Sequence, residues 1–162
     1  MHHYSNTTRF FAVILMLGGV VGVICAVFFG IQFFQQHSLL ALPMVGLGAL
    51  FVWAVFIGYR LWQGTPYGRK WATILFASQI PVLVLPGITF QWFTGAQLRL
   101  VFLFGDHAND LIFVGTFGAN GEFYVGNFTT EFMVGINFFA VIALLLLRRF
   151  NKKVKHQVQE SA

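Results

Sequence analysis

Three sets of residues in this chain have types and spacing that could do chemistry. Asp106, His107 and Asp110, with Asn109 between them, put two carboxylates and an imidazole on one short polar stretch. Oxygen and imidazole donors of this kind can hold a divalent cation. Asp and Asn also bond their own backbone in turns, so the stretch reads as a plain turn unless another ligand joins it. His37, on an earlier polar turn, is the residue that could do so.

The second set is Gln79 and Asn137, two amides inside otherwise apolar runs. Such amides bond across helices, each bond contributing about 0.6 kcal/mol within a membrane. The functional alternative is a polar patch that contacts a quinone or a lipid headgroup. The third set is Gly18, Gly22, Ala26 and Gly30, one small residue at every fourth position. Along a helix this is a smooth stripe that lets a second helix approach closely. Gly46, Ala54 and Gly58 in the next apolar run offer the matching surface, and a homodimer seam is the other use.

Other chemistries lack their residues. The sequence has no glycine-rich phosphate loop, nucleophile elbow, paired-cysteine motif or His–Glu zinc pattern. Cys25 is the single cysteine, so no disulfide can form within the chain. Ion-coupled transport and intramembrane hydrolysis need ionisable groups at depth. The apolar runs contain none.

Those runs are the elements that must position the candidates. The chain of 162 residues is 57% hydrophobic and 9% charged, with a mean hydropathy of +0.75. Soluble domains carry about 25% charged residues. Apolar runs over 10–33, 39–59, 71–92 and 132–147 are each read as a membrane span. Every Lys and Arg except Arg99 falls in one set of gaps, and Asp106, Asp110, Glu122 and Glu131 fall in the other. Lys and Arg collect on the cytoplasmic side, which predicts that both ends face the cytoplasm of a cell membrane such as a bacterial inner membrane. This sorting accounts for the net charge of +5 without a nucleic-acid partner. A basic tail, 148–162, completes the inner side.

Between the third and fourth runs, 94–130 is rich in β-forming residues. Asn120-Gly121 between two such runs predicts a hairpin turn, because both residues accept positive φ. Pro81 and Pro86 predict a third helix that kinks or stops near Leu85. The expected fold is therefore an all-α integral membrane protein. It is a four-helix transmembrane bundle with a small antiparallel β-meander on the outer side, between helices 3 and 4.

The expected function is that of a non-enzymatic multi-pass protein. It would be an accessory or interaction subunit that uses its outer β segment, with the lipid bilayer and another membrane protein or a second copy as partners. An oligomeric channel or carrier for an uncharged or lipophilic solute is the alternative. No cofactor is implied.

Overall fold

The computed structural model describes residues 6–36, 42–85, 88–104, 110–125 and 132–160, which form a mixed α/β fold. The helices are α1 (Asn6–Gln36), α2 (Leu42–Trp62), α3 (Pro66–Ser78) and α4 (Phe138–Glu160). Between α3 and α4 lie β1 (Pro81–Leu85), β2 (Ile88–Phe104), β3 (Asp110–Val125) and β4 (Phe132–Asn137). The four strands form one antiparallel sheet.

The two long helices pair antiparallel through small residues. Gly58 lies on Met16 and the carbonyl of Ala12, Gly19 on Phe51 and Val55, and Gly48 opposite Ala26. Arg9, near the start of α1, stacks over the Trp62 ring at the end of α2, 5.5 Å from its centroid. Gly64 then turns the chain with φ 72. Thr65 caps α3 by accepting the amide of Gly68 at 3.1 Å, and Pro66 occupies the first turn, where its missing N–H is harmless.

α3 and α4 cross only part of the depth that α1 covers. Their apolar faces meet the first half of α1 and the last half of α2, in a core holding Phe11, Leu15, Ile57, Phe76, Ala143 and Leu147. The Phe11 ring meets Phe76 and Phe139 edge-on at 5.7 and 5.9 Å. Burying a side chain such as Phe76 contributes about 1.5–3 kcal/mol. Beyond this layer α1 and α2 continue, and the sheet occupies the place that α3 and α4 leave. Ala119 of β3 packs there on Ala26, Leu47 and Phe51.

The expected all-α bundle of four spans is thus overturned. Among the described residues two helices, not four, are long and apolar enough to cross a membrane: Asn6–Gln32 and Met44–Trp62. The run 71–92 is not one helix. α3 ends at Ser78, and Pro81, which has no N–H and crowds the preceding turn, opens β1 instead of kinking a helix. The run 132–147 is split in the same way, with β4 up to Asn137 and helix after it.

The small antiparallel meander expected over 94–130 is also corrected. β2 and β3 are one long hairpin, paired without interruption from Ile88↔Val125 to Leu103↔Asp110. Asn120 and Gly121 lie inside β3, opposite Phe93 and Trp92, and among the described residues only glycines have positive φ. The bend falls instead at Gly95 and Gly118, which face each other with φ 95 and φ 138.

The strand order β1-β4-β2-β3 has an additional β1–β2 pairing, and this closes a ring. The start of β2 pairs with β1, β1 pairs with β4, and β4 pairs with the end of β2. A strand can meet itself through two neighbours only if it curls strongly. The glycine pair provides the bend.

Candidate functional site

The junction where α3 ends and α4 begins brings Gln79 and Asn137 into one network. Gln79 follows the last turn of α3, and its Oε1 accepts the Thr94 amide at 3.3 Å. The next residue, Ile80, accepts the amide of Asn137 at 2.9 Å. Asn137 Oδ1 accepts from Ala140 at 3.4 Å, as a helix cap does, and from Leu98 of β2 at 3.2 Å. Trp92 closes the junction by donating its indole N–H to the Ser78 carbonyl at 3.1 Å.

Both amides are fully buried. Their orientation is fixed chemically, because a flipped amide would set N–H against N–H. Gln79 Nε2 and Asn137 Nδ2 then remain as buried donors without a partner among the described residues, and so do Thr94 Oγ1 and Arg99 Nε. Each buried unsatisfied group costs about 1–3 kcal/mol. All four lie on β2 or on side chains bonded to its backbone.

The strand is β2. Its odd positions Thr89, Gln91, Gln97 and Arg99 turn polar side chains inward, and the first three are buried. Arg99 Nη1 donates to Gln91 Oε1 at 2.9 Å, across eight positions. On a straight strand those positions lie about 26 Å apart. The bond is possible only because β2 curls, so the guanidinium reaches across the inside of the ring.

The outer face is the reverse. Phe102, Phe104, Phe132, Val134 and Ile136 are exposed on β2 and β4, and Leu111, Phe113 and Phe117 are exposed on β3. Among the described residues β3 pairs with β2 alone.

The remaining sequence candidates fall elsewhere. The stripe is used inside the chain: Gly18 meets β2 at Gly95, Gly22 lies on the Phe51 ring, Ala26 packs with Leu47, and Gly30 faces Met44. Asp106 and His107 lie outside the described residues. Asp110 is an exposed residue at the start of β3, opposite Leu103. No group of His, Cys, Asp and Glu among the described residues could hold a metal ion.

Sequence reading singled out Gln79 and Asn137 but missed Gln91, Thr94, Gln97 and Arg99. A period-two reading of 88–104 would have found the polar odd positions. Assigning 71–92 to a helix cut that pattern in half.

The amides here can donate and accept hydrogen bonds, and the guanidinium is a donor that carries a positive charge. No protein family, no curated protein and no solved structure matches this chain.

Proposed function

We propose that this chain is a non-enzymatic membrane protein, an interaction subunit that lies in the bilayer and binds another membrane protein through its sheet-bearing half. Lipid burial is supported by apolar side chains exposed on every long element, including Ile24 and Phe28 on α1, Val45 on α2 and Leu145 on α4. An apolar groove of about 460 Å³ between α1 and α2, lined by Val20, Ile24, Val52 and Phe56, suits acyl chains. A surface this apolar could not face water without aggregating.

Orientation follows from charge. Arg9 and Arg60 sit at one end of the α1–α2 hairpin, where the backbone of Arg60 also packs on Gly68, next to Arg69 and Lys70. α4 runs back along α3, which brings Arg148 and Arg149 to the same end. This basic end faces the cytoplasm and the sheet faces outward.

The observation that carries the reading is β3, which among the described residues pairs with β2 alone and holds Leu111, Phe113 and Phe117 more than half exposed on its outer face. Unpaired strand edges are not tolerated against hydrocarbon, where no water satisfies the backbone. A partner that adds a strand satisfies the edge and covers the phenylalanines.

A photo-activatable side chain at Phe113 is expected to crosslink to protein in native membranes, and the same group at Val45 to lipid only. Absence of a protein adduct at both Phe113 and Phe117 would remove the interaction reading.

A further inference from the structure

We propose that the inside of the β2 curl is a binding site for an oxyanion, a carboxylate or phosphate group, gripped by Arg99 and Asn137. The inward face of the curl is not the edge of β3, so this site is independent of the interaction proposed above.

Nη1 of Arg99 is engaged by Gln91, and Nε, almost wholly shielded from solvent, has no partner among the described residues. The Nε–H and the neighbouring Nη2–H lie on one side of the guanidinium plane's rim. That rim grips a carboxylate or phosphate through two parallel bonds. The Gln91 contact engages the other edge of the guanidinium and holds it in place.

Asn137 stands directly opposite Arg99 in the β2–β4 register. Opposed residues of an antiparallel pair share a face, with Cβ atoms about 4.5–5.5 Å apart. Asn137 is 0% exposed, and its Oδ1 is held by two amides, which leaves Nδ2 as a third donor on that face. Both contributing side chains are held by other bonds, and each keeps a donor that is free among the described residues.

Charge selects the ligand. A water or a ketone could satisfy the neutral donors. Neither would balance a partly buried cation that makes no ion pair among the described residues. An uncompensated charge in such a place is strongly unfavourable, and an oxyanion removes the penalty while filling all three donors. The oxyanion can come from a lipid, such as a fatty acid or an anionic headgroup, or from the aqueous phase. The donors are the same for both.

Glu122 stands opposite Gln91 in the β2–β3 register, so a carboxylate of the chain itself has to be told apart from an added ion.

The test uses the full chain, purified and delipidated in a non-ionic detergent. Acetate, inorganic phosphate, palmitate and phosphatidylglycerol are titrated separately while the unfolding midpoint is followed. A saturable upward shift is expected with at least one of them. Acetate or phosphate acting alone identifies an aqueous source, and a response confined to palmitate or phosphatidylglycerol identifies a lipid source.

Arg99→Gln should abolish the shift. Arg99→Lys, which keeps the charge but loses the side-on pair, should weaken binding about tenfold. The lysine variant decides the matter if the glutamine variant does not fold. No saturable response to any of the four probes overturns the proposal, as does equal affinity in the Arg99→Lys protein. A response that appears only in Glu122→Gln overturns it too, because the chain's own carboxylate would then fill the site.

Discussion

Gly18 of α1 lies directly against the backbone of Gly95 in β2, so that a side chain on Gly18 would fall on the Gly95 amide. From the other side, a Cβ on Gly95 would meet the side chain and carbonyl of Ile14. A helix and a strand seldom approach to backbone contact. Two glycines make it possible here, and the contact sets the bend of β2 against the helix hairpin.

Gly18→Ala is therefore expected to destabilise the fold by about 1–3 kcal/mol through forced separation of the two backbones. Gly46→Ala is the control, since a Cβ there meets nothing within 4 Å. Both positions are helical and gain the same propensity from alanine, up to about 1 kcal/mol. The difference between their thermal unfolding midpoints in detergent isolates the contact. Equal midpoints would show that α1 does not rest on Gly95.

The bend itself has a separate signature. Gly118 has open space around it but φ 138, whereas Gly115 lies on the same strand in ordinary contact with Leu98. Gly118→Ala is expected to cost about 1–2 kcal/mol more than Gly115→Ala, because an L side chain resists that backbone region. Thermal unfolding of the two variants checks it. A Gly118→Ala variant as stable as Gly115→Ala would mean that β3 passes the position without a bend.

Asn137 separates packing from recognition. Asn137→Ala strands the amides of Leu98 and Ala140 and is expected to cost about 1–3 kcal/mol. Asn137→Asp keeps both acceptor bonds and sets a carboxylate opposite Arg99. That variant should match or exceed the parent in stability at neutral pH and no longer respond to an added oxyanion. Stability below that of Asn137→Ala would show that the two residues do not share a face.

Sidedness tests the membrane reading. Single cysteines at Gly64, in the turn before α3, and at Asp110, at the start of β3, are expected to label from opposite sides of sealed vesicles. Labelling of both from one side would rule out a hairpin of α1 and α2 that crosses the bilayer.

Helix against strand was the distinction that hydropathy could not make here. The first two long helices were plain in the sequence, because apolar runs of that length have few other uses. The run from Trp71 to Trp92 looked equally continuous, yet Pro81 and the alternating Val82, Leu83, Val84 and Leu85 break it into helix and strand. Asn120-Gly121 carried a strong local turn signal that lost to tertiary context. The long ladder to β2 holds Asn120 opposite Phe93, and Gly121 packs on Leu47 of α2. Gln79 and Asn137 stood out because isolated amides in apolar runs are conspicuous. Arg99 looked like a lone outer charge, since its inward direction depends on a curl that only the β1 and β4 pairings create.

The ring also dictates an order of events during synthesis. β1 and both halves of β2 leave the ribosome long before β4, which must slot between them to complete the circle. Until residues 132–137 arrive, the nascent sheet has two unsatisfied edges and Arg99 has no Asn137 beside it. Pairings this distant in sequence form slowly and leave an aggregation-prone interval. The strand that ends the interval runs without a linker into α4, so closing the circle and docking the last helix on α3 are a single step.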